Sequence, residues 1–499
     1  MAFLGVDIGT GGCKALICDE AGNTLGQDYY EYSPQYSGGY HEIDPQVVWL
    51  AVKTVIRNAV ERANGCEIQA VAFSSLGESA VPVDEKGNIL GRSMIYSDSR
   101  GDEQLSQLVD ELGQDAMALT TGLIPHRMYT LPKVMWIRDN CPQLYAATHK
   151  FLLYEDFAAY MLSGECYVSY SSITRSLAFD ITQKQYAQPI LEAAGIPESK
   201  FSKPVQSGYV MGTVRPEMAK ELGLSLRCKV VAGGVDQLCS TVGAGIDRPG
   251  LAVNSLGSVH CLTALFDAPP VSVALLKTVY EAIPHVLEGM YYTMIYNFSG
   301  CSLLRWFRNT LARYEYEQCR QSGRSVYEAL DALVTNTPSD LLVLPHFAGA
   351  RFPVLDNDAK GMIWGLSLNT SFADLYQAFL QGIGFEMYHC INNLKKAGIE
   401  LHALHACGGG ANSSVWLQMQ ADIYNLPIRK LCNNEAAALG NVCIAATAAG
   451  AFASLAEAER AMVKFGATFT PDAQRHERYM EKFERHGQMY RAGKSIAGQ

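Results

Sequence analysis

The 499-residue chain lacks any Cys-x-x-Cys pair, any long block of like charge, and any basic N-terminal stretch leading into an apolar one. It also lacks an uninterrupted apolar run of the roughly 18 residues needed to cross a bilayer. Each absence removes a class. The 14 cysteines are scattered and fall far below the roughly 8–10% share of a disulfide scaffold, so most are read as reduced core residues in a cytoplasmic protein. Forty basic residues against 50 acidic ones leave a net charge of −10, which argues against a nucleic-acid or anionic-membrane partner. What is present is apolar: 48% hydrophobic and 18% charged side chains describe a globular chain of about two to four domains.

The local patterns are those of an α/β protein. Phe3 to Val6 reads as a buried strand, followed by the turn Asp7-Ile8-Gly9-Thr10-Gly11-Gly12, a return strand to Cys18 and a third strand near Thr24 to Tyr30. Asp44 as N-cap and Pro45 at the first helical position predict a helix over Asp44 to Ala63, and Ile68 to Ser74 predicts a strand. The same grammar returns later. Leu251 to Leu256, the turn Gly257-Ser258 and Val259 to Phe266 form a second hairpin pattern; a long helix over Phe372 to Ala397 precedes a strand over Leu401 to Ala406. The chain therefore reads as two related halves joined near Asp247-Arg248-Pro249-Gly250, with a single large α/β unit as the alternative. His402 and His405 fall in the strand-like run and are not read as a metal pair.

Five features could carry chemistry. The turn around Gly9, Thr10, Gly11 and Lys14 lets backbone N–H groups approach an anion, while Asp7 could hold a hydrated cation; a purely structural hairpin is the alternative. It is neither a Walker loop nor a Gly-x-Gly-x-x-Gly turn opening a helix. Gly257 and Ser258 supply a second turn of that kind. Gly408, Gly409, Gly410, Ala411 and Asn412 leave a strand and open a helix, so they either meet a ligand closely or only let the helix pack on the sheet. Asp236 follows the apolar run Val230 to Val235, where an α/β protein displays functional side chains; it reads as a general base or as a helix cap. Glu78 and Asp98, at other strand ends, could accept hydrogen bonds from sugar hydroxyls or sit in loop ion pairs.

Taken together, these residues resemble the FGGY family of carbohydrate kinases, which includes xylulokinases, gluconokinases and glycerol kinases. The similarity runs nearly end to end: Gly5-Val6-Asp7-Ile8-Gly9-Thr10, then Gly233-Gly234-Val235-Asp236-Gln237, then Gly382-Ile383-Gly384-Phe385-Glu386, Gly408 to Asp422, and Glu435 to Gly440. Smaller matches include Lys133 with Trp136, Arg305-Trp306 and Gly349-Ala350-Arg351-Phe352-Pro353. The resemblance implies an α/β fold of two actin-like, ribonuclease H-like domains with a central cleft. Residues 1–248 would form the sugar-binding domain and 249–499 the ATP-binding domain. It implies an ATP- and Mg²⁺-dependent phosphotransferase with an alcohol group as acceptor. Asp236 would be the catalytic base, with Asp7 and Asp236 on the Mg²⁺ side. Gly9, Thr10, Gly11, Lys14, Gly257 and Ser258 would hold phosphate, and Gly408 to Asn412 would wall the adenosine.

The substrate positions depart from the family patterns. Where xylulokinases and gluconokinases usually carry Met-His and glycerol kinases Gln-Arg-Glu-Thr, this chain has Ser75-Leu76-Gly77-Glu78-Ser79. Gly77 is expected to open space, and no arginine is present there to hold glycerol. A linear ketose, alditol or aldonate of about five or six carbons is therefore expected, first of all a pentulose such as xylulose, bound by Gly77, Glu78, Asp236 and Gln237. Asp98, Arg100, Met128 and Tyr129 are weaker candidates. Gluconate or another polyol is the alternative acceptor. A non-catalytic sugar sensor and an actin-like ATPase are the competing functions, and a homodimer is compatible with the sequence but not required by it.

Overall fold

A computed structural model describes residues 1–267, 272–279, 281–351 and 354–497. Phe352 and Pro353 of the smaller family match lie outside the described residues. The fold is mixed α/β and divides into two compact units. The first comprises 1–247, 267–293 and 435–464, and the second 248–266, 294–434 and 465–499. Two later segments, 267–293 and 435–464, thus group with the first unit.

Unit 1 is built on a six-stranded sheet. Its strands are β1 (Ala2–Ile8), β2 (Gly12–Asp19), β3 (Thr24–Glu31), β4 (Ile68–Ser75), β5 (Val210–Thr213) and β6 (Lys229–Val235), in the order β5-β6-β4-β1-β2-β3. The strands β1, β4 and β6 run parallel. Their register brings Asp7 beside Ser74 and Ser74 beside Gly234, so the carboxyl ends of three buried strands lie together. Helix α1 (Pro45–Arg62) covers one face. It starts where the sequence predicts, with the Asp44 side chain accepting from the Gln46 amide at 3.0 Å, and it buries Val48, Val52, Val55, Ile56 and Ala59.

Helix α2 (Asp236–Gly243) leaves β6 directly. It packs against the helix Ala436–Ala449 so closely that a Cβ at Gly440 would lie 1.8 Å from the Cys239 carbonyl oxygen. Asn441 on that second helix donates to the Val6 carbonyl at 3.1 Å and to Ser74 Oγ at 2.7 Å, tying it to the ends of β1 and β4.

Unit 2 repeats the device. The antiparallel hairpin β7 (Leu251–Leu256) and β8 (His260–Asp267) pairs through β7 with the parallel strand β9 (Ala403–Cys407), followed by β10 (Ile428–Leu431) and β11 (Phe465–Phe469). Helix α3 (Cys301–Thr310) starts at the hairpin. Helix α4 (Phe372–Lys396) is opened by a capping box between Ser371 and Asp374, and α5 (Ser414–Tyr424) follows the glycine cluster with Trp416 buried. Among the described residues no helix is long and apolar enough to cross a membrane.

Candidate active site

The acid expected to act as base stands where the parallel strands end. Asp236 is the first residue of α2, and its Oδ1 accepts the Gln237 amide at 2.6 Å. Burial, and then the charges of Asp7 and Glu78, push its carboxyl up to about 7, with Arg175 pulling the other way. Asp7, next to last in β1, accepts the Ser74 hydroxyl at 2.7 Å, and burial raises its carboxyl above the usual range. Two acids that disfavour each other's charge thus share one corner of unit 1. Such a corner suits a proton acceptor beside an oxygen ligand for a cation.

Glu78 lies three residues beyond β4 and is buried. Its carboxylate is ion-paired with Arg175, which is paired on its other terminal nitrogen with Glu281. Arg175 follows the short helix Tyr170–Thr174, and that helix is tied to β6 by the Val235 amide donating to Ser171 Oγ at 3.2 Å. Thr130 Oγ1 donates to the Glu78 carbonyl at 3.0 Å.

This arrangement corrects the expectation for Gly77. No space opens there: a Cβ at Gly77 would lie 2.6 Å from Arg175 Cγ and 3.3 Å from Val235 Cγ2. The glycine admits the arginine stem, not a larger ligand. The arginine that pairs with Glu78 stands 97 positions downstream in the chain.

Other candidates are placed as follows. Asp98 accepts from the His41 amide at 2.7 Å and from Arg100, which also pairs with Glu42 at 2.6 Å, so these two form the loop ion pair that was the alternative reading. The Tyr129 ring lies 5.2 Å from the Arg175 guanidinium, and the Met128 carbonyl accepts from buried Lys133 at 2.7 Å. Lys14 is ion-paired with Glu435 and lies over the Tyr29 ring at 5.4 Å. The turn it follows is closed by the Gly9 amide on the Gly12 carbonyl at 2.9 Å, with Tyr32 Oη donating to the Gly9 carbonyl at 2.7 Å; Thr10 and Gly11 stay accessible.

In unit 2 the Gly257 and Ser258 carbonyls accept the Cys301 and Ser302 amides at 2.9 and 3.1 Å, which pins α3 onto the hairpin, and Arg305 reaches Ser258 Oγ at 3.4 Å. The three glycines of 408–410 are not equivalent. Gly408 has φ of +85° and abuts the Leu256 backbone, while a Cβ at Gly410 would lie 2.7 Å from the Trp416 ring. Gly409 faces open space. Asn412 Oδ1 accepts from Lys430 at 3.3 Å.

Arg175, Glu281 and Asn441 were not singled out in the sequence. Arg175 sits in an ordinary polar run, Ser169 to Ser176, and nothing local marks it.

Comparison with known proteins accords with this geometry. Xylulose kinase of Bacillus subtilis is 27% identical over 499 residues, covering 99% of this chain and 97% of that protein. A xylulose kinase structure from Rhodospirillum rubrum superposes with a TM-score of 0.87 at 23% identity over all of both chains. A gluconate kinase structure from Lactobacillus acidophilus gives 0.86 at 20% identity, covering 98% of each. Residues 2–243 match the N-terminal domain, and 252–449 the C-terminal domain, of one family of sugar phosphotransferases. The chain belongs to the FGGY family of carbohydrate kinases.

Proposed function

We propose that this kinase transfers the γ-phosphoryl group of ATP to a terminal hydroxyl of a linear ketose or alditol of five or six carbons, with xylulose as the first candidate. The placement of Asp236 carries the reading: a carboxyl held near neutrality at the carboxyl ends of three parallel strands can accept the proton of an attacking hydroxyl. Glu78 and the Asp236–Gln237 turn would meet the sugar in unit 1. Similarity to the xylulose kinase of Bacillus subtilis supports the acceptor class. The gluconate kinase of the same fold supports an aldonate as the second reading.

Asp7 would hold Mg²⁺, with Asp236 beside it. The fit rests on the donor set: both acids present oxygen ligands, and among the described residues Ser74 is the one hydroxyl donor to Asp7, so lone pairs remain for a hard cation that keeps most of its waters and binds through phosphate. When bound, the ion would neutralise phosphate charge. The backbone at Gly9, Thr10 and Gly11 in unit 1, and at Gly257 and Ser258 in unit 2, would each meet phosphate oxygens. Lys14 would serve that charge only by leaving Glu435.

Gly408 to Asn412 would form the adenosine wall, with Gly409 as its accessible member. Gly409→Val is expected to raise KM for ATP at least about fivefold with little change in melting temperature. Gly410→Val is expected to lower the melting temperature by several degrees, because its side chain must enter the Trp416 contact. Steady-state kinetics and thermal melting of the two variants decide this.

The acceptor is tested by a coupled ADP-release assay over pentuloses, hexuloses, alditols and aldonates. Saturable turnover of a ketose or alditol is expected. ATP binding without turnover on any acceptor would favour a sensor, and acceptor-independent hydrolysis an ATPase.

A further inference from the structure

The cluster around Arg175 is more elaborate than a sugar pocket needs for stability. Arg175, Glu78 and Glu281 are 3%, 7% and 6% exposed, and each terminal nitrogen of the guanidinium carries one carboxylate. Its Nε–H has no acceptor among the described residues, and its stem fills the space over Gly77. A buried ion triad of this kind rarely stabilises a fold more than apolar side chains of the same volume, whereas losing one partner leaves a buried charge uncompensated. With both forks of the guanidinium occupied, Arg175 offers no bidentate seat to a substrate anion.

The surrounding charge is acidic. Glu78, Glu281 and Asp236 act on Arg175, and Asp7 on Asp236; Lys133 feels Glu78 and Asp98 as well as Arg100 and Arg175, is held down to about 7 by burial, and donates to the Ile95 and Met128 carbonyls. A carboxylate on the substrate would meet Glu78 while, among the described residues, Arg175 is taken up by two carboxylates and Lys133 by two backbone carbonyls. Neutral hydroxyls, by contrast, find in Glu78 an acceptor whose position is fixed.

We propose that Arg175 is a positioning and specificity residue: anchored by Glu281, it fixes Glu78 as a charged acceptor for substrate hydroxyls, so that the site takes neutral ketoses or alditols and turns away aldonates. This rests on the reading of the chain as a sugar kinase with Asp236 as its base.

The test compares a five-carbon ketose, the corresponding alditol and a six-carbon aldonate with the full-length chain and four variants. The wild type is expected to favour the best neutral acceptor over the aldonate by at least about 100-fold in kcat/KM. Glu78→Gln keeps the shape and the contact to Arg175 but not the charge; it should raise KM for the neutral acceptor about tenfold, change kcat less than threefold, and lower the neutral-to-aldonate ratio at least tenfold. Arg175→Met should raise the sugar KM at least 30-fold with KM for ATP unmoved, Arg175→Lys should recover part of that loss, and Glu281→Gln should fall between. If Arg175→Met does not fold, the Glu78→Gln ratio decides. An unchanged ratio in Glu78→Gln, or a wild-type preference for the aldonate, overturns the proposal while leaving the kinase reading intact. Silence of the wild type on every acceptor overturns both.

Discussion

Replacing Asp236 with Ala is expected to lower turnover by about 10³-fold while ATP binding is retained, since a positioned general base contributes roughly 10²–10⁴-fold. The same carboxyl sets the pH response. A base acts in its deprotonated form, so kcat/KM should fall as pH drops through about 7, the value to which burial and then the neighbouring acids raise Asp236, and level off above it.

The stability effect has the opposite sense. An acid whose folded pKa lies above its unfolded one stabilises the fold below the unfolded value and loses that contribution as pH rises through the folded value. Asp236→Ala should therefore melt no lower than wild type at about pH 8, where the wild type carries a buried charge. Coupled kinetics from about pH 5.5 to 9, ATP titration calorimetry and thermal melting measure the three effects. Turnover within about tenfold of wild type would remove Asp236 from the mechanism.

Gly77→Met is expected to raise the sugar KM by about 10- to 100-fold and to cost about 1–3 kcal/mol of stability, the usual range for overpacking a filled site. The first atom added is already too close, 2.6 Å from Arg175 Cγ, and the arginine cannot step aside without breaking two buried ion pairs. Sugar-dependent kinetics and a denaturation curve check both numbers. A wild-type KM would mean that the arginine relocates freely and that Glu78 needs no fixing. Had Gly77 served to open the pocket, the same substitution would have acted by filling space against the ligand, with Arg175 untouched.

Gly409 and Gly410 teach a related point. Both stand in one motif, and the sequence allows either a ligand contact or tight packing for all of it. The structure divides the roles: Gly408 and Gly410 are required by Leu256 and Trp416, and Gly409 alone looks outward. Asp98 and Arg100 show the reverse outcome, because two residues that could have read hydroxyls are matched to each other and to Glu42 and His41.

The amino-acid sequence by itself determined the α/β class, the two hairpins, helix α1 with its Asp44 cap, and the strand ends that display Asp7, Glu78 and Asp236. Those features are local. They follow from the alternation of apolar residues, from turn glycines and from a cap next to a proline, each legible within about a dozen residues. It also marked the family, because the motifs stand in order along the chain. Only the tertiary structure decided that residues 267–293 and 435–464 group with unit 1, that Asn441 ties together the ends of β1 and β4, and that Arg175 packs over Gly77 and pairs with Glu78. Ion pairs between residues about a hundred positions apart leave no periodic trace. They arise from strand register and helix packing, and those are set by burial of the whole core rather than by any one segment.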